Sequence, residues 1–502
     1  MATIKELTIL YTNDFHAQDK PVRATWVEGS PMMGGAAYLA SYVKKIRASE
    51  ENVILLDAGD ILTGPPISTL TEGEAPVDLF SCIGYDAVAI GNHEFDHGWQ
   101  KTKQLLYQAR FPFLSANIFY KNTNILFAKP YEILEAGDVK VGVIGIHGKK
   151  AGYETISLDQ ITELEFRSQE SVLQEYVNLL KPHVDLIVVL AHQGIPAEQG
   201  TEDREVVVER DFEEDVHIIN QVEGIDVLIA GHCHKSIEQP YVAKKTGTLL
   251  ISTRGLGTVV GYLNLKIDMD ARAIVDYNAH LEPILSEQME PDPELEARVA
   301  YWDDRLKVLI DQKIGYATGN FTRNYFEEST LGNLITDAVR SYTHADAAFQ
   351  VGGGLRADIV KGDITFGDVM NVIPFNSEIH KIDMRGDNLL YLLEQSAAMT
   401  SGVLQQSGVT LVIDPSRDIG ERVIEATING SRLEKDRYYC VAVNAFMLAG
   451  GDGFTGFMKG ENIRNTYVIE RDIVVDYIKK QEQIEPQLSN RLIIQEMAVH
   501  AD

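Results

Sequence analysis

Cysteine is scarce: Cys82, Cys233 and Cys440 are the only 3 in 502 residues. An odd, sparse set supplies no disulfide framework and fits a reducing compartment. Positive charge is also short. Lys and Arg number 45 against 74 Asp and Glu, a formal net charge of −29. Such a surface repels polyanions, so neither nucleic acid nor an anionic membrane is an expected partner. No apolar run approaches the roughly 20 residues of a spanning helix. A long apolar leader is missing too, because Lys5 and Glu6 run straight into Leu-Thr-Ile-Leu-Tyr. The expectation is a cytoplasmic protein, with a processed secreted form as the alternative. No internal repeat or low-complexity tract appears.

What is present is an ordinary mix, 45% hydrophobic and 24% charged. The length exceeds one hydrophobic core and suggests about two or three domains. In the first half, short apolar runs at 7–11, 53–57, 87–90, 139–146, 184–190 and 227–230 alternate with helical patterns such as 35–48 and 170–181. Continuous apolar strands suit a sheet covered on both faces, so the class is α/β. Strands at 249–252 and 261–268 complete that half. Residues 283–294 are rich in Glu, Pro and Asp and read as a break. A polar helix at about 293–312 follows and bridges to the second half. The chain thus divides into 1–285, a linker helix at 286–313, 314–490, and a tail at 491–502.

The polar residues fall at strand ends. Asp14-Phe15-His16 ends the first run, Gly59-Asp60 the second and Gly91-Asn92-His93-Glu94 the third. His192 and Gly231-His232-Cys233-His234 end two later runs. Taken singly, each is weak: an Asp there usually caps a helix, and Gly-Asn-His usually makes a turn. Ligands of open α/β sheets bind beyond the carboxyl ends of the strands, so these residues converge on one rim. Imidazole with carboxylate suits Zn, Mn, Fe or Co rather than Ca²⁺ or Mg²⁺. Two such ions about 3.5–4 Å apart can clamp the attacking and leaving oxygens of a displacement at phosphorus. The other histidines carry no expected role, His147 being the one that also ends a strand. Cys233 is expected to point away from its two histidine neighbours.

In this order the motifs resemble the calcineurin-like metallophosphoesterases. More narrowly, Gly91-Asn92-His93-Glu94-Phe95-Asp96 resembles the 5′-nucleotidase / UDP-sugar hydrolase / 2′,3′-cyclic-nucleotide phosphodiesterase family. The likeness continues through Asn333-Leu334-Ile335-Thr336-Asp337-Ala338 and Gly352-Gly353-Gly354-Leu355-Arg356. Pro374-Phe375-Asn376 and Gly450-Gly451-Asp452-Gly453-Phe454 extend it to nearly the whole chain. The resemblance implies an N-terminal α/β/β/α sandwich joined by a helix to a smaller α/β substrate-binding domain. It implies one metal on Asp14, His16 and His234, another on Asn92, His192 and His232, and Asp60 as the bridge. His93, oriented by Asp96, would act on the phosphoryl oxygens or the leaving group.

The same resemblance gives the second half the rest of a nucleotide-like substrate. Arg356 would pair with a phosphate or ribose-side group. Phe446 matches one of two aromatics that sandwich the base, and Asn444 and Asp452 would add polar contacts. The chain departs from the family at its second aromatic. The matching stretch, 401–409, reads Ser-Gly-Val-Leu-Gln-Gln-Ser-Gly-Val, and no Phe, Tyr or Trp lies between Tyr391 and Tyr438. Base selectivity is expected to loosen by about tenfold. The leading expectation is hydrolysis of nucleoside monophosphates with two divalent transition metal ions. The rivals are a 2′,3′-cyclic-nucleotide phosphodiesterase, a UDP-sugar hydrolase, and a nucleotide-binding protein with little catalysis. Purely structural metals rank last, because structural zinc sites are closed and rich in Cys.

Overall fold

The structure is a computed structural model and describes residues 3–24, 26–194 and 206–495. It divides into two compact units between Leu306 and Lys307.

The N-terminal unit holds two six-stranded sheets. The first runs Ala273–Pro283, Val259–Asp268, Ile4–Thr12, Val53–Asp57, Ala87–Ala89, Phe113–Leu114. The second runs Tyr241–Val242, Leu249–Ser252, Val227–Gly231, Leu186–His192, Val139–His147, Tyr131–Ala136. Side chains alternate across each strand. Leu7, Ile9 and Tyr11 therefore enter the core shared with Val141, Val143, Val188 and Ile229 of the other sheet. Leu10 points the opposite way, into a core that includes Leu39 and Val43 of helix Ala36–Ser49 and Phe80 of helix Glu74–Ile83. Helices Gln169–Leu180 and Glu213–Gln221 cover the outside of the second sheet. The order of layers is α/β/β/α.

The expected convergence is met from two sheets, as an α/β/β/α sandwich requires. Asp14, Asp60 and Asn92 follow strands of the first sheet, whereas His192 ends and His232 follows strands of the second. Strand periodicity says which residues are buried but not which sheet a strand joins. Parallel pairing brings the ends level: Thr12 lies opposite Asp57, and His192 lies opposite both Gly231 and His147.

Helix Pro293–Ile310 spans the division between the units, and its first turns are no free linker. Leu295 and Val299 are buried in the N-terminal core, and Trp302 packs on it. Arg298 and Trp302 both donate to the Asp78 carboxylate. This i, i+4, i+7 stripe is apolar on an otherwise polar helix.

The C-terminal unit has a five-stranded sheet ordered Leu404–Ser407, Ala347–Val351, Tyr438–Asn444, Glu378–Arg385, Glu461–Ile469. Helices Thr330–Thr343 and Glu470–Gln481 share a core on one side, and Gly386–Ala397 packs on the other. The tail expected from residue 491 is corrected at its start. Leu492–Ile494 is a strand paired in parallel with Val409–Ile413, and Leu492 and Ile494 pack on the nearby core. Arg491 fixes it through Asp337, 2.7 Å away. The remainder of that expected tail, 496–502, lies outside the described residues.

Candidate metal centre

Strand Ile4–Thr12 ends in Asn13, whose amide clamps Thr253: Nδ2 donates to its carbonyl at 3.0 Å and Oδ1 accepts its N–H at 2.8 Å. The next turn is stitched to the one after Asp57, since Asp14 N–H donates to Gly59 O and His16 N–H to Asp60 O. Glu94 holds that second turn. Its carboxylate accepts N–H groups from Asp60 at 3.0 Å, Ile61 at 2.9 Å, Leu62 at 3.2 Å and Gly91 at 2.5 Å. Gly91 has to be glycine for a steric reason. A Cβ there would stand 2.2 Å from Asp60 Oδ1 and 2.4 Å from its backbone nitrogen.

These stitches hold unusual backbone. Asp14, His16, Asp60, His232 and His234 have φ of 52°, 50°, 61°, 73° and 50°. Side chains other than glycine reach that region at a cost of about 1–3 kcal/mol each, and such residues cluster at functional sites.

Six of the seven expected ligands, together with His93, fall in three overlapping groups, and Asn92 adjoins them through His192. Asp14, His16 and His234 form one, Asp60, His192 and His232 another, and His16, Asp60 and His93 a third between them. His234 Nε2 is 3.4 Å from Asp14 Oδ1 and 3.0 Å from His16 Nε2. His192 Nε2 is 3.1 Å from Asp60 Oδ2 and 3.0 Å from Asn92 Oδ1. Asp60 Oδ2 also reaches to 4.0 Å from His16 Nε2, so this carboxylate faces both sides. Carbonyls select the nitrogens that point inward. His192 Nδ1 lies 2.8 Å from Ala58 O, and His16 Nδ1 lies 3.0 Å from Thr63 O, which leaves Nε2 toward the centre in both.

The donor set fits divalent metal. His232 Nε2 is buried with no hydrogen-bond partner among the described residues, an arrangement that costs free energy unless a cation takes the lone pair. Electrostatics agree. Burial pushes Asp14 and Asp60 up, yet the imidazoles of His234 and His192 outweigh it and hold both carboxyls well below the usual range. Burial also lifts Glu94 to about 7, with repulsion from Asp60 adding to it. Cations at the centre would favour all three as carboxylates.

His93 shares only the third group, with His16 and Asp60, and is partly open. Its Nδ1 lies 2.8 Å from Asp96 Oδ2, a carboxylate that also accepts from the Thr63 hydroxyl. His147 is buried beside His192 with ring centroids 5.7 Å apart, but belongs to none of the three groups. Cys233 points away from the centre: its thiol donates to Asp211 O at 3.4 Å. The alternation expected for it survives although the flanking histidines are not extended.

In the C-terminal unit, Arg356 follows the turn Gly352–Gly354 and donates its N–H to Val372 O at 2.9 Å. Phe446 lies on the short helix Ala445–Leu448 with its ring against Gly451, where a Cβ would come within 2.4 Å of it. Asp452 adopts φ 53° in the Gly450–Gly453 loop, and its carboxylate approaches Gly353. Asn444 corrects its expected role as a substrate contact. Its Oδ1 caps Met447 N–H at 3.0 Å, and its Nδ2 donates to Glu470 at 3.2 Å, so the buried amide is used inside the protein. No aromatic comes from 401–409, but Tyr325 packs there. Its carbonyl accepts Val403 N–H at 2.7 Å, and its hydroxyl lies against Gly353. Glu94, Asn13 and Tyr325 are the residues that sequence reasoning missed. Glu94 stood inside a quoted motif, whereas Tyr325 lies far along the chain from the stretch it adjoins.

The calcineurin-like phosphoesterase model matches residues 7–236, and the 5′-nucleotidase C-terminal domain model matches 313–459. A 5′-nucleotidase of Bos taurus is 30% identical, covering 97% of this chain and 90% of its own. Snake venom 5′-nucleotidase of Naja atra is also 30% identical, covering 97% and 98%. The crystal structure of a 5′-nucleotidase precursor from Thermus thermophilus superposes with a TM-score of 0.84 at 28% identity, covering 98% of this chain and 99% of that one. Both domain models, the relatives and the donor set agree that the chain belongs to the 5′-nucleotidase family of calcineurin-like metallophosphoesterases and is a metal-dependent phosphoric ester hydrolase.

Proposed function

We propose that the chain hydrolyses nucleoside 5′-monophosphates to nucleoside and phosphate, using two divalent transition metal ions drawn from Mn, Zn, Co or Fe. The observation that carries the reading is Asp60, shared by two donor groups with His93 beside it. Asp14, His16 and His234 would hold one ion, Asn92, His192 and His232 the other, and Asp60 both. When bound, the ions would neutralise charge on the phosphoryl oxygens and acidify a water.

The remaining work falls to the chain. Asp96 fixes the His93 tautomer and ring orientation. As the bond from phosphorus to the ester oxygen breaks, His93 gives its proton to that oxygen, the water's oxygen ends on phosphorus, and the proton shed by the water passes to solvent, from which His93 is protonated again. Glu94 keeps the Asp60 turn rigid through four backbone N–H groups, so the donors need little rearrangement. In the C-terminal unit Arg356 would meet a phosphate or ribose-side group. Phe446 and Tyr325 would supply aromatic surface for the base, and Asp452 a polar contact. Cys82, Cys233 and Cys440 are free thiols, and on that support we place the reaction in the cytoplasm.

Phosphate release from AMP, a 2′,3′-cyclic nucleotide and UDP-glucose, compared under Mn²⁺, Zn²⁺, Co²⁺ and Mg²⁺, tests the reading. AMP is expected to be turned over fastest. Faster cleavage of either other substrate would replace the assignment. Tight nucleotide binding with no phosphate release in any metal would favour a binding protein.

A further inference from the structure

Helix Glu470–Gln481 opens with two ionisable side chains that are almost fully buried, Glu470 at 2% exposure and Arg471 at 7%. Both are held by neutral groups. Glu470 accepts from Gln350 Nε2 at 2.7 Å and from Asn444 Nδ2 at 3.2 Å, and its N–H donates to Ser377 O at 2.9 Å. Arg471 donates to Asn376 Oδ1 at 2.8 Å and to the carbonyls of Ile373 and Pro374 at 3.4 Å.

Each of these partners leads to a loop. Gln350 Oε1 takes the Val351 N–H at 2.8 Å, just before the turn Gly352–Gly354 that leads to Arg356. Asn444 caps the helix that carries Phe446. Arg471 pins Ile373 and Pro374, next to the Val372 carbonyl that receives Arg356 N–H. Three loops distant in sequence are therefore tied to two adjacent residues. Burying ionisable groups among neutral partners costs free energy, and Arg471 Nε has no hydrogen-bond partner among the described residues. An apolar pair would pack the same space without that cost, so packing alone does not account for them.

We propose that Glu470 and Arg471 are positioning residues that set the three loops receiving the nucleoside side of the substrate. The proposal rests on the nucleotidase reading above. Their part is indirect: they act through Arg356, Phe446 and the 374–376 loop, and touch no reacting atom.

The test uses the full chain loaded with metal, as wild type, Arg471→Met, Arg471→Lys and Glu470→Gln. Three quantities are read: kcat/KM for AMP relative to p-nitrophenyl phosphate, the affinity of adenosine by calorimetry, and thermal unfolding. Arg471→Met is expected to lower the AMP-to-p-nitrophenyl phosphate ratio about tenfold and weaken adenosine about as much. Arg471→Lys keeps the charge without the forked donors and is expected to recover only part of the loss. If Arg471→Met does not fold, Arg471→Lys and Glu470→Gln carry the same readouts. A folded variant with the wild-type ratio and wild-type adenosine affinity overturns the proposal, as does an equal fall for both esters. Wild type that cleaves neither ester counts against the nucleotidase reading. Adenosine binding then still tests the loops, and loss of it in the variants supports them.

Discussion

Asp60 Oδ2 and His192 Nε2 stand 3.1 Å apart, although Asp60 follows a strand of one sheet and His192 ends a strand of the other. The centre therefore exists only while the two sheets keep their packing and Asp60 keeps its left-handed turn.

The Asp60 turn is sensitive at a residue that is no ligand. Gly91→Ala would place a methyl 2.2 Å from Asp60 Oδ1. The backbone nitrogen of Asp60 is equally close, so a change of rotamer cannot relieve the clash. Metal affinity is expected to fall by about 10- to 100-fold, as for lost support of a ligand. Metal titration by calorimetry checks this, and wild-type affinity in a folded variant would refute it.

His93 has a different signature. Removing a general acid lowers the rate by about 10²- to 10⁴-fold where the leaving group needs a proton. His93→Ala should therefore slow AMP hydrolysis far more than that of p-nitrophenyl phosphate, whose leaving group departs as a stable anion. Metal content should stay near wild type. Equal losses on the two esters would point to a damaged centre instead.

Glu470 makes stability depend on pH. Burial raises its carboxyl from 4.5 to about 7. Between those values the folded chain holds a proton that the unfolded chain has released. Stability is therefore fully present below about 4.5 and falls as pH rises toward 7, by on the order of 3 kcal/mol. Urea denaturation at several pH values should show that downward slope, and Glu470→Gln should flatten it. A variant with the parent's slope would assign the effect to another group.

Much of the centre was legible in the sequence because strand ends are punctuated. Asp14, Asp60, Asn92, His192, His232 and His234 each close an apolar run, and a continuous apolar run ends at a definable place. The resemblance then sorted them into ligand groups. Backbone conformation was not legible: nothing in Asp-Phe-His or Gly-His-Cys-His requires φ near +50° at non-glycine residues. Glu94 was visible as a letter, but its task depends on four N–H groups gathered by folding. The resemblance gave Asn444 a polar contact to substrate, whereas its position at a helix start makes it a cap. The strand Leu492–Ile494 is too short to show periodicity and owes its existence to Val409–Ile413.

The most direct test is the ion content of the reconstituted chain, measured by elemental analysis and anomalous diffraction beside phosphate release from AMP. The expected result is two divalent ions per wild-type chain, one on each side of Asp60. Chelation should remove both ions and the activity, and Asp60→Asn should bind fewer ions and release almost no phosphate. Undiminished hydrolysis by an ion-free chain, or by Asp60→Asn, would contradict a centre built on that shared carboxylate.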